Sequence, residues 1–177
     1  MAREISAGGV VVRQISGVWH VALIEPRKDE DEDEKTELKI DKTEVATAPL
    51  AKLKRKRTAV LALPKGLVVA GEKPQVAAVR EVLEETGVVA EPITKLADNK
   101  YVYVRNWGDG ERVFKIVSFY LMRYVSGEID NLKSDMRIEV KRASWVPLAD
   151  AASKLSYSNE RKVLRQAEDY LKTHRLA

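Results

Sequence analysis

GLVVAGEKPQVAAVREVLEETGV, residues 66–88, is the stretch on which the fold and the chemistry of this chain turn. Its second half has the spacing of a helix over Pro74–Thr86. Pro74 suits the first helical turn, where a missing N–H is harmless, and Gly87 suits the left-handed residue that ends a helix. Val76, Val79 and Leu83 recur at i, i+3 and i+7 and are expected to form the apolar stripe. Glu81 and Glu85 are four residues apart and share a face, with Glu84 beside them. Carboxylates crowded in this way repel one another unless a cation neutralises them. Oxygen ligands alone favour Mg²⁺ or Mn²⁺ over zinc or copper. The octapeptide Arg80–Gly87 by itself fits a solvated acidic face slightly better than a metal site, so the residues before it decide.

Outward from that stretch, the N-terminal segment reads as a hairpin: a strand over Ile5–Arg13, a turn over Gln14–Gly17 and a return strand over Val18–Glu25. The periodicity then stops. An acidic run, Asp29–Glu34, and a basic one, Lys52–Arg57 (KLKRKR), bracket a polar stretch. Residues 28–57 contain too few apolar side chains to build a core and are expected to be a charged, flexible insertion. A third strand is expected over Thr58–Leu63, then a glycine-containing loop over Pro64–Lys73. Beyond the helix, Val88–Asn106 holds one or two strands and Asn106–Gly110 is a turn. Arg112–Tyr124 reads as a central strand, apolar on both faces. Glu139–Val146 is a last strand, followed by a short helix over Pro147–Leu155 and a terminal helix over Ser158–Thr173. Strands that precede, separate and follow helices imply an α/β class, a mixed sheet between helical layers.

Composition narrows the chemistry. The 177 residues suit one domain spanning 1–177. Cysteine is absent, which excludes disulfides, thiolate metal sites and cysteine nucleophiles. The two histidines, His20 in a strand and His174 in the tail, are expected to be structural or solvated rather than zinc ligands. A net charge of +4 is too mild to imply nucleic acid as a partner. No apolar run is long enough to span a membrane and no signal peptide is evident, so a cytoplasmic location is expected.

The spacing Gly66-x5-Glu72-x7-Arg80-Glu81-Val82-x-Glu84-Glu85-x-Gly87-Val88 resembles the signature of the Nudix hydrolases, with every fixed position filled. SAGGVVVR resembles that family's first strand, LPKG its usual lead-in, and WVPLADAASKLSYSNERKVLRQA the C-terminal part of its antimutator and dinucleoside-polyphosphate members. The resemblance implies an α/β/α sandwich with a mixed sheet and a Mg²⁺- or Mn²⁺-dependent pyrophosphohydrolase. It further implies Glu84 and Glu85 as metal ligands, joined by Glu81, which ligates metal or activates water, and by a carbonyl near Lys65 and Gly66. Arg80 would orient the carboxylates, with Glu72 as its salt-bridge partner. A last acid from outside the box falls on Glu139, with Asp135 as runner-up. Lys65, Arg112 and Lys115 are candidate phosphate contacts, and Tyr101 or Tyr103, Tyr103 by preference, a candidate for base stacking. Leu61 and Ala62 replace the aromatic residue often found before LPKG. The substrate expected is a small nucleotide, a dinucleoside polyphosphate by preference. The alternatives are an oxidised nucleoside triphosphate or a non-catalytic nucleotide-binding role.

Overall fold

The computed structural model describes residues 1–27, 59–105 and 107–176. The charged insertion expected over 28–57 lies outside the described residues, as do Thr58 and Asn106. Strands β1 (Ala2–Ile15) and β2 (Val18–Pro26) form the expected hairpin, longer at both ends than its sequence pattern. Ser16 and Gly17 turn the chain with φ of 51° and 77°, the double left-handed geometry that matches strand twist in a two-residue hairpin. Short β3 (Lys65–Leu67) precedes α1 (Pro74–Thr86). Then follow β4 (Val88–Val104), β5 (Arg112–Gly127), a 3₁₀ turn (Met136–Ile138), β6 (Val140–Pro147), α2 (Leu148–Lys154) and α3 (Ser158–Thr173). The sheet order is β4-β5-β1-β2-β6, with β3 on β1. Only β1 and β5 run parallel; the other pairings are antiparallel, so the sheet is mixed.

Strand alternation builds the two layers around this sheet. Val10, Val12, Val21, Leu23, Val117, Phe119 and Leu121 pack on one face against Val163, Leu164 and Ala167 of α3. Their neighbours Val11, Ala22, Tyr120 and Met122 point the other way, onto Ala77, Ala78 and Val82 of α1. The result is the α/β/α sandwich. Among the described residues no helix is long and apolar enough to cross a membrane.

Three expectations need correction. Ala59–Leu63 is not a strand: only Ala62 pairs, exchanging both backbone hydrogen bonds with Ile24 at 2.9 Å. The amide of Leu61 donates to Ser156 Oγ, and that of Leu63 to the Glu160 carboxylate. The backbone is thus satisfied by the segment leading into α3 and by α3 itself rather than by a ladder. The expected loop over Pro64–Lys73 includes β3. Finally, of the valine–leucine stripe of α1 only Val79 packs against the core, while Val76 is 56% and Leu83 46% exposed. The helix instead buries Ala77, Ala78, Glu81, Val82, Glu85 and Thr86. The sheet opposite is lined with small residues, and a Cβ on Gly9 would lie 2.8 Å from Val82 Cγ2. This close approach favours alanine at the contact and turns two carboxylates toward the protein.

Candidate active site

The helix bounds match their sequence signals. Pro74 begins α1, and Gly87 ends it at φ 80°, its N–H donating to the Leu83 carbonyl. A Cβ on Gly87 would meet the Glu128 and Asn131 carbonyls at 2.5 and 2.8 Å, so this position requires glycine twice over.

Arg80 is the hub of the acidic cluster. Nε and Nη2 grip the two oxygens of Glu72 at 2.9 and 3.0 Å, a bidentate fork. Nη2 also donates to the Leu67 carbonyl at 2.9 Å. Nη1 reaches Glu81 Oε1 at 2.8 Å and Glu84 Oε2 at 3.1 Å. The hydrogen bond from Arg80 holds Glu72 below the usual carboxylate range, and Glu72 reciprocally raises Arg80. Glu72 also accepts from the Val69 amide, which folds the loop back onto the helix.

Glu81 and Glu85 are 8% and 7% exposed. Burial raises both, Glu85 to about 8, although Glu85 accepts a hydrogen bond from the Lys65 amide at 2.8 Å. The charge of Glu139 adds to the upward push on each, so Glu139 lies within electrostatic reach of the cluster. Asp135, the runner-up, caps the 3₁₀ turn by accepting from Met136 N–H at 3.1 Å. Glu84 is the most open of the helix carboxylates, its side chain 40% exposed. The donor set is all oxygen and short of positive charge, which suits a hard divalent cation. Among the described residues no three acidic or imidazole groups stand close enough together to hold a metal ion in this arrangement. Arg80 holds an oxygen of Glu81 and one of Glu84, and the set is open.

Gly66 faces this cluster. A Cβ there would fall 2.1 Å from Glu81 Cδ. Gly66→Ala should therefore displace Glu81, lowering kcat at least tenfold and stability by about 1–3 kcal/mol. Kinetics and thermal melts of the variant measure both.

The raised carboxylates also set a pH dependence. A Glu with a folded pKa of about 8 and an unfolded value near 4.5 binds more protons folded than unfolded between those pH values. Its contribution is thus lost as pH rises through that window. In chelator, the melting temperature should fall between pH 5 and 8, and in Glu85→Gln this slope should flatten. Asp98 and Asp130, held low by Ser118 and Arg137 respectively, act in the opposite sense and only at more acid pH.

Lys65 connects this cluster to the opposite face of the sheet. Its amide meets Glu85, while its Nζ donates to Glu160 Oε1 at 2.8 Å. Burial pulls the lysine down, but the Glu160 carboxylate outweighs this and holds it above its ordinary value. Glu160, 2% exposed, also accepts from the Leu63 amide. Beside this pair lies a cavity of about 320 Å³ walled by Lys65, Asn99, Tyr101, Tyr157, Asn159 and Glu160. Tyr101, not Tyr103, lines it. Tyr103 donates to Glu4 Oε1 at 2.8 Å, and Lys115 Nζ lies 3.6 Å from Glu4 Oε2. The structure therefore joins Lys65 to the helix cluster and places Tyr103 and Lys115 around Glu4. Glu160 was readable in sequence: Glu160, Val163, Leu164 and Ala167 fall at i, i+3, i+4 and i+7, so a carboxylate occupies the apolar stripe of α3. His20 bonds the Val18 carbonyl, and His174 stacks on Tyr170 at 3.9 Å, both away from this cluster.

The family model for the NUDIX domain matches residues 48–167, more than half the chain. The chain belongs to the Nudix family. MutT4 of Mycobacterium tuberculosis is 33% identical over 168 residues, covering 95% of this Nudix chain and 56% of that protein. The chain thus spans little more than half the length of that relative. An Ap4A hydrolase of C. elegans, solved as a binary complex, superposes with a TM-score of 0.62 at 20% identity, covering 97% of this chain and 99% of that one. A MutT Nudix hydrolase from Burkholderia pseudomallei superposes at 0.59 with 22% identity, covering 94% and 98%. Both share the Nudix fold with this chain.

Proposed function

We propose that residues 1–177 act as a single Nudix domain and as a cation-dependent pyrophosphohydrolase. Its substrate class is a nucleoside diphosphate linked to a further group. The observation that carries this reading is the Arg80 hub. One guanidinium holds Glu72, Glu81 and Glu84 in register, and Glu85 lies buried on the adjacent turn. Such a set is poorly neutralised by protein alone. Glu81, Glu84, Glu85 and Glu139, with the Gly66 carbonyl, would hold Mg²⁺ or Mn²⁺. A bound divalent ion would neutralise phosphate charge and make water a better nucleophile.

The chain's own groups do the rest. Arg80 and Glu72 fix the carboxylates on a rigid helix, so little reorganisation is needed as charge develops on the bridging oxygen. Glu81, with its raised proton affinity, is placed to take a proton from attacking water. The Lys65 amide bonds Glu85 of the cluster while its ammonium borders the cavity, positioned to meet a phosphate. The cavity accepts the nucleoside, with Tyr101 and Tyr157 as rings for stacking. Tyr103 and Lys115 would have to part from Glu4 to contact substrate.

A dinucleoside polyphosphate is the preferred substrate, since Lys65 and Lys115 lie along one side of the sheet and a longer phosphate chain can engage both. Removal of oxidised nucleoside triphosphates is the second reading; the mutator name of the relative MutT4 specifies no substrate. With all the acidic positions of the signature filled, a purely binding role is the weaker account. The test compares diadenosine tetraphosphate with 8-oxo-dGTP by kcat/KM. Preference for the former is expected. A tenfold preference for 8-oxo-dGTP would replace the substrate and leave the pyrophosphohydrolase reading standing.

A further inference from the structure

Two buried polar atoms beside the cavity lack a partner. Nδ2 of Asn99 and Oγ of Ser6 make no hydrogen bond among the described residues. Native interiors rarely leave such groups unpaired, because each forfeits its hydration without compensation. Strand register shows that the two belong together. Asn99 on β4 lies opposite Val117 on β5, and Val117 lies beside Ser6 on β1. Residues opposite one another point to the same face, so Asn99, Val117 and Ser6 form one row across the sheet, and Asn99 and Val117 line the cavity.

The neighbouring rows complete the surroundings. Tyr101 and Lys115 are opposite each other on one side; Ala97 and Phe119 are on the other. Phe119 and Val117 make the floor apolar, while Tyr101 and Tyr157 offer ring faces at the walls. Two of the other polar wall groups are engaged: Glu160 by Lys65 and the Leu63 amide, and Asn159 Oδ1 by the Glu160 amide. Asn99 Nδ2 is the wall donor that is buried and without a partner among the described residues, and it can take only an acceptor.

We propose that Asn99 is a specificity-determining residue that reads a hydrogen-bond acceptor on the edge of a nucleobase held in this cavity, with the Ser6 hydroxyl in the same row two strands away. The ligand class is a heteroaromatic base carrying a ring nitrogen or carbonyl oxygen at that edge, attached to the polyphosphate that meets Lys65. A purely apolar ring of the same size would leave Asn99 unpaired and be rejected. This rests on the proposed function for the phosphate part of the ligand and for the seat of the nucleoside in the cavity.

The experiment measures binding rather than turnover. The full chain, with Mg²⁺, is titrated with an α,β-methylene nucleoside triphosphate, which resists cleavage, and separately with inorganic tripolyphosphate, which has no base. Asn99→Asp keeps the shape and removes the donor; Asn99→Ala removes it without adding charge; Ser6→Ala removes the hydroxyl. Both Asn99 variants should weaken nucleotide binding about tenfold or more, about 1.4 kcal/mol, with tripolyphosphate affinity unchanged within twofold. That unchanged affinity also shows that the variants are folded. Ser6→Ala should give a smaller loss of the same selectivity. Equal nucleotide affinity in parent and Asn99→Ala overturns the assignment, as does a parallel loss for nucleotide and tripolyphosphate. If the parent binds tripolyphosphate and nucleotide equally while still hydrolysing phosphoanhydrides, the base-reading role is wrong and the pyrophosphohydrolase reading stands.

Discussion

Glu84→Gln or Glu85→Gln is expected to lower kcat by about 10³-fold or more, about 4 kcal/mol of barrier, while the fold persists. A neutral amide of the same shape cannot balance the charge of a divalent ion. The two variants should differ in stability. Glu84 is the more exposed of the two, and its loss should leave the melting temperature within a few degrees of the parent's. Glu85 is buried and held near a pKa of about 8, so its charged form is costly in the folded state. Its amide variant can still accept from the Lys65 N–H. In chelator at pH 8, Glu85→Gln should therefore melt higher than the parent, even as activity collapses. Activity within tenfold of the parent at saturating Mg²⁺ would remove these two residues from the ligand set. A variant that melts lower and is inactive would point instead to a packing role for Glu85.

Arg80→Lys is expected to be the second most damaging change, lowering kcat by about 10²-fold, on the order of 3 kcal/mol. Lysine keeps the charge but not the planar fork. It cannot grip both oxygens of Glu72 while reaching Glu81, Glu84 and the Leu67 carbonyl. The carboxylates would keep a counter-charge and lose their alignment, so kcat should fall more than KM rises. Arg80→Gln should be worse and should also lower the melting temperature, because the buried Glu81 loses its neighbouring cation. The apparent Mg²⁺ affinity is a separate readout. If Arg80 serves chiefly to align the ligands, Arg80→Lys should require more Mg²⁺ for half-maximal activity. A kcat within threefold of the parent would show that charge alone suffices.

The stretch around α1 was legible because its signals are local. Proline at the start, glycine at the end and fixed spacing of charged residues depend little on what packs nearby. The hairpin of β1 and β2 was legible for the same reason. The inward face of α1 was not. Val76 and Leu83 carry the larger hydrophobic weight, yet the residues opposite include Ala7, Gly9 and Ala22, and Ala77, Ala78 and Val82, the last over Gly9, fill that close contact instead. The short β3 and the non-ladder segment 59–63 were hidden because their backbone partners lie far along the chain, on β1, at Ser156 and at Glu160. Choosing between Tyr101 and Tyr103 required knowing that Glu4 lies beside Lys115, a register between β1 and β5 that no local pattern contains. Asn99 and Ser6 became visible only as unpaired atoms. Glu160 lay within reach, as a charge on an otherwise apolar helix stripe.

The most direct measurement incubates the chain with diadenosine tetraphosphate and a panel of nucleoside polyphosphates, with Mg²⁺, with Mn²⁺ and with chelator. The products are separated by chromatography and the solvent isotope ¹⁸O is followed into them. The expected result is cleavage of a P–O–P bond, one ¹⁸O in a phosphate product, absolute dependence on the divalent ion, and loss of turnover in Glu84→Gln. Cleavage that continues undiminished in chelator, or that survives in both Glu84→Gln and Glu85→Gln, would contradict it. So would the absence of cleavage across the panel with either ion.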